Sequence, residues 1–273
     1  MSKLHVACLQ VNHDDNLARN LDTLAEQMRA AAAKGAQFIV TPECSDVMVW
    51  PTQKRLDSAQ EQASHEALAH LQSLAKELGV WLVIGSLVVH DPDIEKLRNR
   101  SYMIDDQGKI AAQYDKIHLF DAQFEHGETY RESAHYAPGD RAVSVQTPWA
   151  KIGMSICYDL RFAHLYRKLA HDGAQIMVVP AAFAVTTGCA HWEVLLRARA
   201  IETGSFVLAS GQTGSHPGDR STYGHSMIIG PWGGILAKIG DEVGFIDAII
   251  DLKDVETCRT NLPAIHHDRN FTG

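Results

Sequence analysis

Lys151-Ile152-Gly153-Met154-Ser155-Ile156-Cys157-Tyr158-Asp159-Leu160-Arg161-Phe162 is the stretch whose reading decides the fold. The apolar run from Lys151 to Ile156 has the length of a buried strand. Helical periodicity takes over around Leu160 and lasts to His171, where Gly173 closes it. Cys157 falls at the junction. A thiol on such a turn is exposed for attack on a carbonyl. Backbone N–H groups and the positive end of a helix dipole would favour its thiolate.

The same alternation extends in both directions. Leu4 to Gln10 reads as a strand, and Leu17, Leu21, Leu24, Met28 and Ala31 mark one helix face that Gly35 ends. Ala36 to Pro42 is a strand running into Glu43. Leu68, Leu71, Ala75 and Leu78 mark a second helix, and Val80 to Val89 is a long apolar strand. Asp105-Asp106-Gln107-Gly108 has turn chemistry, so Arg100 to Lys116 predicts a hairpin whose second arm ends at Lys116. Beyond Cys157, strands are predicted at 174–180, 205–210, 225–229, 235–239 and 245–251, with a helix over 191–203. Strands alternating with helices imply a layered α/β architecture. No linker or low-complexity segment divides the chain, so 1–273 is expected to be one domain with a tail from about 262. Ile117 to Asp140 is long and irregular, and loops of that length are usually functional.

Three apolar runs thus end in a carboxylate (Glu43), an ammonium (Lys116) and a thiol (Cys157), groups of the kind α/β enzymes gather at strand ends. These stretches resemble the nitrilase superfamily of carbon–nitrogen hydrolases, whose Glu-Lys-Cys triad occurs in this order at similar spacing. The resemblance extends through His191-Trp192-Glu193, Leu195-Leu196-Arg197-Ala198-Arg199, Tyr223-Gly224-His225-Ser226-Met227 and Pro231-Trp232-Gly233. It implies a four-layer αββα sandwich of two mixed sheets with helices outside. It also implies a fourth residue that orients the lysine. Tyr130-Arg131-Glu132-Ser133 makes Glu132 the match, with Glu125 and Glu128 close by. Within the superfamily the chain is most similar to the branch of deaminated-glutathione amidases and omega-amidases, although Cys189 and His164 depart from its pattern.

The chemistry so implied is hydrolysis of an amide in a small carboxylate-bearing substrate through a thioester on Cys157. Deaminated glutathione is the first choice, and 2-oxoglutaramate or succinamate (an omega-amidase) the alternative. A catalytically silent interaction protein is the alternative from another class, and the intact triad argues against it. Arg161 is either a clamp for a substrate carboxylate or a support locked to Asp159. Tyr158, Phe183, Thr187 and Tyr223 are further substrate-binding candidates. Arg197 and Arg199 are expected to pair with Glu193 and Glu202.

Composition narrows the partners. A formal charge of −8 argues against nucleic acid or an anionic membrane, and no apolar run reaches membrane-spanning length. Five cysteines without CxxC spacing fit neither a disulfide framework nor a zinc site. With no HExxH, GxGxxG or P-loop, no metal and no cofactor are expected. The chain reads as cytoplasmic, with no signal peptide. The resemblance further implies a homodimer, possibly a higher assembly, through the helices at 160–171 and 191–203.

Overall fold

The structure, a computed structural model, describes residues 2–49, 52–124 and 129–272. Among these the strands form two large mixed sheets and two small hairpins. In the first sheet, strand Lys3–Gln10 lies between the antiparallel Gly244–Asp251 and the parallel Phe38–Val40. Trp81–His90 continues it in parallel, then Arg98–Ile104 and Ile110–Asp115 add an antiparallel hairpin. The second sheet has the same series of pairings: antiparallel Ser144–Gln146, then parallel Lys151–Met154, Ile176–Ala181 and Phe206–Gly211, then the antiparallel Met227–Ile229 and Ile235–Lys238. The two sheets thus share one series of pairings, although the antiparallel edge strand is the last strand of the chain in the first sheet and directly precedes the parallel strands in the second.

The central strands of each sheet are apolar on both faces, as a sheet covered on both sides requires. Val6, Cys8, Phe38, Val40, Val83 and Met103 from the first sheet meet Ile152, Met154, Met177, Val179, Leu208 and Ile228 from the second in one buried cluster. Helices Leu17–Ala33 and Glu66–Leu78 cover the outer face of the first sheet, burying Leu21, Leu24, Met28, Leu68 and Leu71 against Ala7, Leu9, Ile39 and Leu82. Asn16 starts the first of these helices, its side-chain oxygen accepting from the Arg19 N–H at 3.0 Å. Helices Ala163–His171 and Val185–Thr203 cover the second sheet, where Leu165, Leu169, Trp192 and Leu196 join the shared core. The layers run helix, sheet, sheet, helix, as the resemblance implied.

Several boundaries differ from the sequence reading for physical reasons. The helix after Cys157 begins only at Ala163, because Cys157–Arg161 forms a 3-10 turn in which Cys157 itself has a left-handed φ of 47°. The helix expected from His191 starts at Val185, its first turn hidden from periodicity by Thr186, Thr187 and Gly188. A hairpin, Thr213–His216 with Arg220–Tyr223, and a helix, Lys253–Asn261, had no clear pattern. The tail beyond 262 packs back on the molecule: Ile265 is buried, and Asp268 pairs with Arg167 and lies 2.6 Å from His171 Nε2.

One close approach fixes the first site-bearing turn. Strand Trp81–His90 is bulged between Ile84 and Leu87, and a Cβ on Gly85 would lie 2.2 Å from the carbonyl oxygens of Thr41 and Pro42. Gly85 donates its N–H to Thr41 Oγ1 at 3.0 Å, and Ser86 holds the Cys44 and Ser45 N–H groups. A methyl group has no room between these backbones. Gly85→Ala is expected to destabilise the fold by about 1–3 kcal/mol and to lower activity with it. A urea midpoint unchanged from the parent would refute this packing.

Candidate active site

Three strand ends open on one cavity of about 320 Å³. Phe38–Val40 delivers Glu43 through the tight Thr41–Ser45 turn. Lys116 follows strand Ile110–Asp115, and its backbone N–H bonds the Asn99 carbonyl at 3.0 Å. Cys157 follows strand Lys151–Met154. All three are buried, with 4%, 2% and 7% of their surface exposed, so their charges act on one another through little water.

Lys116 Nζ donates to Glu43 Oε1 at 2.8 Å and to Glu132 Oε1 and Oε2 at 3.1 and 2.9 Å. Asn99 bridges the same two carboxylates, its Nδ2 donating to Glu43 at 2.9 Å and Glu132 at 3.0 Å. The Phe120 N–H fixes the second oxygen of Glu132 at 2.6 Å. The Ala182 N–H, at the end of strand Ile176–Ala181, fixes the second oxygen of Glu43 at 2.9 Å. The Cys157 thiol also hydrogen-bonds Glu43.

These contacts decide the charge states. Burial disfavours ionised Glu43, but the Lys116 ammonium and the bonds from Lys116, Cys157 and Asn99 outweigh it and hold the carboxyl below its ordinary range. Burial likewise opposes the Lys116 charge, and Glu132 and Glu43 more than restore it. Cys157 goes the other way. Burial and the adjacent Glu43 carboxylate push its pKa well above the ordinary thiol value, despite Lys116 and the Ala182 N–H. This corrects the dipole argument. No α-helix begins at Cys157, and the resting sulfur is a thiol bonded to a carboxylate.

Asp159, wholly buried, organises the turn. Its carboxylate accepts from the Ile156 N–H at 2.9 Å, the Tyr114 hydroxyl at 2.7 Å and the His118 N–H at 3.0 Å, with His118 Nδ1 at 2.7 Å. It ties the turn bearing Cys157 to the segment just after Lys116. Arg161 is therefore not locked to Asp159, which corrects one of its two readings. Its guanidinium lies 5.8 and 5.2 Å from the ring centres of Tyr158 and Phe183, with Nη1 3.2 Å from His191 Nδ1.

The remaining candidates separate. Tyr158, Arg161, Phe183 and Thr187 line a small recess that shares Cys157, Phe120 and Ala182 with the main cavity. Tyr223 lines neither. It stacks on His225 at 3.9 Å and fills the space where Gly188 lacks a side chain, so the structure corrects its placement. Arg197 and Arg199 do pair with Glu193 and Glu202, and Arg199 also holds the Leu160 carbonyl at 2.9 Å. Glu125 and Glu128 lie outside the described residues. Sequence reasoning missed Asn99, Phe120, Tyr130 and Arg220. Asn99 carried a usable signal, a lone amide in an otherwise β-forming run, while Arg220 sits on the hairpin with no pattern. Among the described residues no cluster of three or more acidic, histidine or cysteine side chains could hold a metal ion, and no helix is long and apolar enough to cross a membrane.

With this geometry the sequence can be set beside known proteins. Residues 5–260 match the carbon-nitrogen hydrolase family. The chain is 36% identical to a deaminated glutathione amidase of Yersinia enterocolitica over 98% of this chain and 94% of that one. It is 39% identical to the deaminated glutathione amidase of Mus musculus, covering 97% of this chain and 83% of that one. The crystal structure of the C. elegans NitFhit protein superposes with a TM-score of 0.92 at 36% identity, over 98% of this chain and 66% of that chain. The chain belongs to the carbon–nitrogen hydrolase family of the nitrilase superfamily, and is a hydrolase of carbon–nitrogen bonds.

Proposed function

We propose that the protein is a single-domain cytoplasmic amidase acting on small carboxylate-bearing amides, with deaminated glutathione as first choice of substrate. The observation that carries this reading is the thiol of Cys157, hydrogen-bonded to an ionised Glu43 beside the Lys116 ammonium, facing a cavity of about 320 Å³. The names borne by the relatives at 36–39% identity support the choice of substrate.

Cys157 attacks the amide carbonyl while Glu43 takes the thiol proton, giving a tetrahedral oxyanion. Lys116, already protonated, and the backbone N–H of Tyr158 stabilise that charge; one such donor is worth roughly a hundredfold or more in rate. Glu43 passes its proton to the nitrogen, the C–N bond breaks, and an acyl thioester remains. Water then enters, Glu43 removes its proton, and the carboxylic acid leaves with the thiol restored. Glu132 acts by holding Lys116 in place. A thiol above its ordinary pKa suits this sequence, because the base is already on the sulfur and no free thiolate has to be maintained.

The alternative substrate, 2-oxoglutaramate or succinamate, uses the same steps. A homodimer is part of the proposal. Val194, Ile201 and Trp232 are 68%, 50% and 68% exposed along helix Val185–Thr203 and the adjoining turn, a larger apolar display than isolated surface residues need.

Cys157→Ala is expected to lower kcat on the order of a thousandfold or more with an unchanged circular dichroism spectrum; surviving turnover would refute the thioester route. The rate should also be insensitive to pH over a wide span. Glu43 is held below its ordinary 4.5 and Cys157 above its ordinary 9.0, so kcat/KM on a neutral amide is expected to stay level between those values and to fall outside them. A limb centred near neutrality would contradict these charge states. Comparing kcat/KM on deaminated glutathione and 2-oxoglutaramate decides the substrate, a clear preference for the smaller amide favouring the alternative.

A further inference from the structure

Resting on the reading just given, we infer that Asn99 is a positioning residue for the reaction: its amide decides which oxygen of Glu43 carries the proton. The two oxygens are not equivalent. Glu43 Oε1 accepts from Lys116 Nζ at 2.8 Å and from Asn99 Nδ2 at 2.9 Å. Those two donors fill both lone-pair sites of that carboxylate oxygen. Oε2 accepts from the Ala182 N–H at 2.9 Å, which leaves one of its sites open. The same Ala182 N–H also bonds the Cys157 sulfur, so the thiol lies on the Oε2 side. The S–H bond therefore breaks as an O–H bond forms on Oε2. That proton then goes to the leaving nitrogen as the C–N bond breaks. Oε1 keeps both its bonds throughout, so proton transfer requires no rearrangement of the buried cluster.

Asn99 is suited to this by its chemistry and its anchorage. Both groups it faces are carboxylates, which only accept, so the amide must present its nitrogen to them. The two hydrogens of Nδ2 serve Glu43 Oε1 and, at 3.0 Å, Glu132 Oε1. Lys116 Nζ reaches the same two oxygens. The four groups close a ring of alternating donors and acceptors, with ammonium and amide at opposite corners. Strand Arg98–Ile104 fixes the amide corner: Asn99 is buried opposite Val88, and its carbonyl accepts the Lys116 N–H at 3.0 Å. A second cation at that corner would hold Glu43 ionised more tightly and weaken it as a base. A neutral amide directs the proton with less loss of basicity.

The test measures kcat, KM and the pH profile of two variants on a neutral amide that the parent hydrolyses, corrected for the folded fraction by circular dichroism. Asn99→Leu keeps the approximate volume and removes both donors. Its kcat at neutral pH is expected to fall about tenfold to a hundredfold, with KM changed by no more than about threefold. Asn99→Asp puts a third carboxyl beside two carboxylates, and this group replaces the amide as a donor only while it holds a proton. Its kcat/KM is expected to decline with rising pH inside the span where the parent is level. A merely structural amide would produce neither effect, only a lower melting temperature and less folded enzyme. A folded Asn99→Leu with kcat within about twofold of the parent overturns the assignment, and so does a level profile in Asn99→Asp. If neither variant folds, the amide is a support of the fold and the assignment falls. A parent that hydrolyses no amide, or whose Cys157→Ala variant stays active, sinks the underlying amidase reading instead, an outcome distinct from these.

Discussion

The Lys116 ammonium, shared between two carboxylates and out of reach of bulk water, is the interaction on which the rest of this structure depends. A lone buried ammonium would lose its proton, and a lone buried carboxylate would gain one. Here each stabilises the other's charge, and Asn99, Phe120 and Ala182 supply the remaining donors. Removing any member leaves an uncompensated charge in a dry place. The fold can be viewed as the apparatus that brings these groups together from strands far apart in the chain.

That cluster also explains why the thiol is not pre-ionised. A third negative charge beside Glu43 and Glu132 would meet repulsion from both, and burial adds to the cost. The system instead keeps one mobile proton on sulfur and an acceptor already bonded to it. The charge of the site then changes little as the reaction proceeds, because the proton moves within it and negative charge appears only on the substrate oxygen beside Lys116.

Much of the architecture was legible in the sequence. The helix faces carrying Leu21, Leu24 and Met28 or Leu68 and Leu71 repeat with strong periodicity, and the apolar runs ending at Glu43, Lys116 and Cys157 mark their own strands. The strand-end positions of those three residues were readable for the same reason. What could not be read is pairing across the chain. Asn99 and Ala182 matter only because Lys116 lies opposite one and Glu43 beside the other. The 3-10 turn at Cys157 was hidden for a related reason, since its cause is Asp159 accepting from Tyr114 and His118, some forty residues away in sequence. Tyr223 failed as a site residue through a glycine: Gly188 opens a space behind the cavity, and the ring fills it.

The first strand of the structure pairs along its whole length with the last, Lys3 opposite Asp251 and Gln10 opposite Gly244. During synthesis the ribosome delivers Lys3–Gln10 long before its neighbour exists. One edge of that apolar strand therefore stays open until some 240 further residues have emerged, a contact of very high sequence separation. The first sheet can therefore close along this edge only after strand Gly244–Asp251 has emerged.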